Sequence, residues 1–319
     1  MNYRHAFHAG NFADVVKHIV LARIVEHLKE KPAPFRIVDL HAGLGLYDLS
    51  AAAAERTGEW REGVGRLYRE GTCAPERLSD AAEALIAPWR KAVAAVNDGQ
   101  RLARYPGSPE IARRLAREGD SLVFNELHPE DYLVLAERFA REMRAQVMAL
   151  DGWIAAKALV PPPEKRGLML MDPPYEAADE VFRALTAVAE AHRRFATGVY
   201  CLWYPVKAQA DANALARRAA DLALPKTLRA ELTVRRADKS DRLNGSGLII
   251  VNPPWKLEAE LATLLPALAG RLADAQARFR GGFRLEWLVG EKSVPGTKAP
   301  DAKGAAQRHR LVVGPKRRR

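Results

Sequence analysis

Cysteine is nearly missing from this chain: Cys73 and Cys201 are the only two in 319 residues. They are too few for a disulfide framework and too far apart for a zinc knuckle, so a reducing cytoplasm is the compartment that fits. No apolar run approaches the ~18 residues that a membrane-spanning helix needs. The N-terminus, Met1-Asn2-Tyr3-Arg4-His5, lacks the apolar core of a secretory signal. No internal repeat is present. Charge of one sign is also scarce over most of the chain. The formal net charge is +11, but nine Lys or Arg against one Asp between residues 292 and 319 supply +8, which leaves +3 for the first 291. That tail, rich in Ala, Gly, Pro and Lys and ending Lys316-Arg317-Arg318-Arg319, has the composition of a disordered segment and suits a polyanion. A solubility extension with no defined role fits the same composition equally well.

What is present is a chain 48% hydrophobic with well-mixed charge, enough for one large domain with an insertion. Residues 1–291 are expected to form that domain and 292–319 the tail. Residues 11–30 read as a helix: Asn11 suits the cap, Asp14 the first turn, and Val15, Val16, Ile19, Val20, Ile24 and Leu28 form an apolar stripe. Seven apolar runs read as strands, at 35–40, 121–126, 146–151, 167–172, 198–203, 227–233 and 247–252, with a further edge strand at 283–289. Helical patterns at 130–144, 178–195, 208–222 and 256–273 alternate with them. This alternation predicts an α/β sheet covered on both faces. Seven strands with a glycine turn after the first is the pattern of a Rossmann-like methyltransferase fold. Some eighty residues separate the first strand from the second where one helix would do. A small inserted helical subdomain is therefore expected at about 50–104.

Open parallel sheets bind ligands at the carboxyl ends of their strands. Those ends carry Asp39, His41, Gly43 and Gly45, then Glu126, then Asp151-Gly152, then Asp172-Pro173-Pro174-Tyr175. Gly43 and Gly45 let backbone approach a ligand closely, although such turns are often only structural. Glu126 suits a pair of ribose hydroxyls, or a solvated strand end. Asp151 suits an adenine amino group, or a helix cap. Lys17 and His18 suit a cofactor carboxylate, or an ordinary solvated helix face. Ser108, in Tyr105-Pro-Gly-Ser-Pro109, is placed to cap the helix at 110–117, with Pro109 in the first helical position. The polar loop 238–247 after Arg235-Arg236, with Lys239 and Arg242, suits phosphates or a mobile surface. Histidines 5, 8, 18 and 27 follow no metal-ligand spacing and no thiol or acidic cluster joins them in sequence, so no metal is expected.

Asp172-Pro173-Pro174-Tyr175 is the specific signal. An exocyclic amine such as adenine N6 is a poor nucleophile because its lone pair is delocalised into the ring. Two acceptors drawing on its protons localise that pair. Asp172 supplies one, and the Pro173 carbonyl, in a turn stiffened by two prolines, supplies the other. Tyr175 offers a face on which an extruded base can stack. Asn252-Pro253-Pro254-Trp255 copies the form. In a seven-stranded methyltransferase sheet the last strand runs antiparallel, which puts residue 252 on the wrong edge and makes 252–255 a structural turn.

The chain resembles the bacterial 23S rRNA adenine-N6 methyltransferases of the RlmJ type from Tyr3 to about residue 290. The motifs are Tyr-Arg-His-x-Phe-His-Ala-Gly-Asn at 3–11, Asp-x-His-Ala-Gly-x-Gly at 39–45, Tyr-Pro-Gly-Ser-Pro at 105–109, Glu-Leu-His-Pro at 126–129, Asp-Pro-Pro-Tyr at 172–175, Leu-Trp-Tyr-Pro at 202–205 and Asn-Pro-Pro-Trp-Lys at 252–256. The resemblance implies an S-adenosylmethionine-dependent enzyme acting on one adenine of 23S rRNA. It implies cofactor contacts at His18, His41, Ser108, Glu126 and Asp151-Gly152, and makes Asp172 the catalytic acceptor. It makes Tyr3 a substrate contact, with Arg4 taken as a second beside it. A monomer is expected, with no membrane and no metal involved. The rivals are a DNA adenine methyltransferase, which would normally need a target-recognition domain where no second large domain is evident in the sequence, and a non-catalytic RNA-binding or ribosome-assembly factor. The tail lies outside the pattern.

Overall fold

A computed structural model describes residues 5–70, 72–177, 179–238, 242–274 and 279–291. The expectations placed on Tyr3, Arg4, Lys239 and the tail 292–319 lie outside the described residues. Ten strands are formed: β1 (Arg36–Asp39), β2 (Leu46–Asp48), β3 (Arg104–Pro106), β4 (Ser121–Asn125), β5 (Ala145–Met148), β6 (Gly167–Met171), β7 (Val199–Val206), β8 (Thr227–Thr233), β9 (Gly245–Val251) and β10 (Gly282–Val289). Eight make one sheet in the order β10-β8-β9-β7-β6-β1-β4-β5, and β2 pairs with β3 apart from it. The sheet thus holds the seven expected strands and, as β10 at its edge, the further strand expected at 283–289. β10 pairs antiparallel with β8 along its length, covering backbone groups that an edge strand would leave unpaired.

β5, β4, β1, β6 and β7 run parallel. β6 is buried along all five residues, as the continuous apolar run required. The pleat sends Ile37, Leu168 and Leu170 into one apolar layer, and Val38, Met169 and Met171 into the other. The first layer is covered by the helices Phe12–Lys29, Ser108–Leu115 and Leu257–Leu272; the second by Gly152–Ala158, Glu180–Arg194 and Gln209–Asp221.

The helix Phe12–Lys29 starts where the Asn11 side chain accepts from the Asp14 amide. It is buried nearly all round because it lies between the sheet and the segment that joins β2 to β3. That segment contributes the helix Asp80–Ala94, whose Ile86, Trp89 and Val93 join the same apolar layer as the sheet. Gly63 shows how close the contact is: a Cβ there would lie 2.1 Å from the Gly10 carbonyl oxygen.

The cap expected at Ser108 belongs instead to Gly107. The Gly107 amide donates to the Gly45 carbonyl at 2.9 Å. A Cβ on Gly107 would meet Tyr47 at 3.0 Å, so the turn admits no cap side chain there. Ser108 takes the first helical position.

β9 runs antiparallel to β7 and ends beside Tyr200, near the start of β7. Asn252 therefore lies at the edge opposite Asp172. Its φ is +52°, and its side-chain amide donates to the carbonyls of Ala196 and Gly198 at 2.6 and 3.0 Å. The second Pro-Pro motif is a structural turn, as strand direction predicts.

Candidate active site

The carboxyl ends of β1, β4, β5 and β6 assemble one pocket of about 150 Å³, lined by His41, Gly43, Glu126, Asp151, Gly152 and Asp172 among others. Each wall has a local cause. Asp39, 1% exposed, accepts from the His41 amide at 3.2 Å, and burial pushes its carboxyl up to about 6. His41 Nδ1 accepts from the Asp172 amide at 3.2 Å, which ties the ends of β1 and β6 together. Burial pushes the imidazole down to about 4, so it is neutral. Gly152 lies against its other face: a Cβ there would be 2.9 Å from His41 Nε2.

At Gly43, φ is +60° and an added Cβ would strike the Tyr47 hydroxyl at 2.2 Å, so only glycine fits. Its amide donates to Glu126 Oε2 at 2.7 Å while the His128 amide donates to Oε1 at 2.8 Å. Glu126 is fixed by backbone, and burial raises its pKa. Asp151 is a helix cap: Oδ1 accepts from the Trp153 and Ile154 amides at 2.8 and 3.2 Å. Its Oδ2 reaches Arg183 at 3.4 Å.

A second, larger cleft of about 630 Å³ lies on the other side of the Pro-Pro turn. Asp14 and Lys17 of the first long helix form one wall, the tetrapeptide and Trp203 another, and Lys207, Arg235 and Arg242 supply positive charge. Asp172, Pro174 and His5 line both cavities. The two spaces meet at the turn.

Asp172 is fixed by the first helix. Lys17, 4% exposed, ion-pairs with Asp172 and with Asp14, the latter at 2.9 Å. Burial alone would raise the Asp14 carboxyl, but the charges of His5 and Lys17 hold it well below the usual range. Burial alone would lower the Lys17 ammonium, but Asp14 and Asp172 hold it well above its ordinary value. Tyr175 has φ +54°, a conformation that costs a non-glycine residue on the order of 1–3 kcal/mol. Its hydroxyl donates to the Trp203 carbonyl at 2.6 Å, and the two rings meet edge to face with centroids 5.8 Å apart.

Of the residues singled out in the sequence, His41, Gly43, Glu126, Asp151 and Gly152 share the smaller pocket, with Asp172 at its border. Lys17 faces the larger cleft. His18 and Ser108 line neither cavity. His18 is 1% exposed, its Nδ1 bonded to the Tyr105 hydroxyl at 2.9 Å, and burial pushes it down to about 3. Ser108, 7% exposed, lies beside Asp39. Sequence reasoning missed His5, Trp153 and Arg183 around the pocket and Trp203 and Lys207 in the cleft. Trp203 lies in the carboxyl half of β7 and Lys207 directly follows that strand, so a search of the strand ends would have reached Lys207.

The fold also gathers His5, Asp14 and Asp172, with ligand atoms all within 4.8 Å of one another. Their spacing in sequence hid this. The cluster is completed as an ion-pair network: His5 Nε2 lies 2.9 Å from Asp14, and the Lys17 ammonium bridges the two carboxylates.

Comparison with known proteins shows the family and the fold. The family model described as "Ribosomal RNA large subunit methyltransferase D, RlmJ" matches residues 32–289. A relative from Escherichia coli (strain K12), named Ribosomal RNA large subunit methyltransferase J, is 41% identical over 291 residues, covering 91% of this chain and all of the relative. One of the same name from Haemophilus influenzae is 39% identical over 292 residues, with the same coverage. The crystal structure of a Legionella pneumophila protein superposes with a TM-score of 0.76 at 31% identity, covering 88% of this chain and 98% of that one.

Proposed function

Since the chain belongs to the RlmJ family of ribosomal RNA large subunit methyltransferases, we propose that it moves a methyl group from S-adenosylmethionine to the N6 of one adenine in 23S rRNA, with Asp172 as the acceptor. The observation that carries this reading is the meeting, at Asp172–Pro174, of a small pocket lined by carboxylates and a large cleft that carries Lys207 and Arg242 beside the tetrapeptide. Among the described residues no helix is long and apolar enough to cross a membrane. We further propose that the enzyme works in the cytoplasm, as a monomer and without a metal.

The smaller pocket fits the methyl donor chemically. Its carboxylates, Glu126 and Asp151, suit ribose hydroxyls and an adenine amino group, and its glycines at 43 and 152 bring backbone close. S-adenosylmethionine bound there supplies a methyl group already activated on a sulfonium. The protein's work is to hold and polarise the amine. Lys17 engages one oxygen of Asp172 and fixes the carboxylate, leaving the other to accept from N6–H. The Pro173 carbonyl takes the second N6 proton. Tyr175, locked by its bond to the Trp203 carbonyl, offers its ring to the base, and Lys207, Arg235 and Arg242 face the flanking phosphates. As the N–C bond forms, the donor's S–CH3 bond breaks, its electron pair stays on sulfur as S-adenosylhomocysteine leaves, and the methylated N6 releases one proton to solvent while Asp172 and the Pro173 carbonyl hold the amine. The smaller pocket receives no direct contribution from His18 or Ser108; both act from behind, by supporting Tyr105 and Asp39.

The test is methyl transfer from labelled S-adenosylmethionine to 23S rRNA by the purified protein and by Asp172→Ala. Loss of at least about a thousandfold in rate, with donor binding retained by calorimetry, supports the role. Full activity in the variant removes it.

A further inference from the structure

A cluster of five arginines lies outside both cavities. A groove of about 640 Å³ runs between β3, the helices Ser108–Leu115 and Pro129–Phe139, and the segments that follow Ala94 and Phe139. Arg104, Arg113, Arg114, Arg138 and Arg141 line it. Its carboxylates are already engaged. Glu110 accepts from Arg113 and Arg114 at 2.7 and 2.6 Å, Glu142 accepts from Arg144 at 2.8 Å, and Asp98 accepts from the amides of Gln100 and Arg101 at 2.9 and 3.2 Å. Arg104, Arg138 and Arg141 are exposed. None of the three forms an ion pair within 4.0 Å among the described residues.

The groove's position ties it to the reaction. Leu46, which follows Gly45, lines it, and the Arg138 stem packs against Gly45, whose added Cβ would lie 3.3 Å from Arg138 Cδ. Gly43 of the same turn lines the smaller pocket. The groove thus backs onto the glycine turn from the side away from the pocket. Three exposed guanidinium groups with no ion pair within 4.0 Å among the described residues, converging in a concave surface whose acids are occupied, have the chemistry of a phosphate-binding track. We propose that this groove holds the phosphodiester backbone of the substrate RNA at a distance from the target adenine, as a second contact beyond the cleft. The proposal rests on the rRNA reading above.

The experiment compares wild type, Arg138→Gln/Arg141→Gln and Arg138→Lys/Arg141→Lys on 23S rRNA at several salt concentrations, with thermal melting as the check on folding. The glutamine pair is expected to raise the KM for RNA roughly tenfold while kcat at saturating RNA holds. It should also flatten the log–log salt dependence of RNA affinity by about 1.5. The lysine pair keeps the charge and should keep most of the affinity. Unchanged KM and salt slope in the glutamine pair, with rRNA still methylated, would overturn the groove alone. A wild type that methylates no rRNA would remove the functional reading and the groove with it.

Discussion

Replacing Lys17 with methionine probes the device that holds the acceptor carboxylate. The ammonium is 4% exposed and bridges Asp14, itself 2% exposed, to Asp172. Methionine fills similar volume without charge, so the change removes the cation and leaves two carboxylates facing each other. Breaking a buried pair in this way costs about 3–5 kcal/mol. The pH dependence follows from Asp14. Its pKa in the folded wild type is lowered, so its contribution is present above the unfolded value and lost only as pH falls through the lower folded value. In Lys17→Met, burial of Asp14 is opposed only by the histidines and the Gly10 amide, and its carboxyl is expected to rise instead. The resulting penalty is full above that raised pKa and fades as the carboxyl protonates on acidification. Urea unfolding should therefore show the largest gap from wild type near pH 8 and a smaller gap near pH 5, with methyl transfer reduced throughout. A gap under about 1 kcal/mol at pH 8, the value of a surface pair, or one that widens on acidification, would refute the buried-bridge account.

Asp39 predicts the opposite sign. With its folded pKa raised from 3.8 to about 6, it destabilises the fold increasingly above pH 3.8 and fully above pH 6. Asp39→Asn should gain up to ~3 kcal/mol at pH 8 and nothing below pH 4, as read by denaturant midpoints. Gly63→Ala would drive a Cβ to 2.1 Å from the Gly10 carbonyl and 2.4 Å from the Asn11 carbonyl carbon. It should lower stability by about 1–3 kcal/mol or more through displacement of the segment that joins β2 to β3, seen as a lower Tm. Tyr175→Phe loses one hydrogen bond and should cost about 1 kcal/mol. Tyr175→Ala also loses the stacking face, and should raise the KM for RNA by about 10- to 100-fold with donor binding kept.

The sequence showed the parallel half of the sheet well, because β1, β4 and β6 are short apolar runs ended by acids or glycines. It also separated Asp172 from Asn252, since strand direction rather than motif form decides which edge a residue occupies. The β2–β3 hairpin escaped because three residues per strand are too few to display a period. Ser108 misled because a good cap residue stands next to Gly107, and the crowding by Tyr47 and Gly45 that excludes a side chain there is a tertiary fact. His18 and Lys17 are adjacent on one helix, yet point to a buried tyrosine and to the cleft respectively. That helix is covered on nearly all sides, so polarity could not tell its faces apart. The Lys17–Asp172 pair spans 155 positions in the chain, and no local pattern reports a contact of that range.

The most direct test of the central claim is mass spectrometry of 23S rRNA from cells lacking this protein. One N6-methyladenine should be absent, and should return when the wild-type protein is restored but not when Asp172→Ala is. A modification pattern unchanged by the deletion would contradict the account.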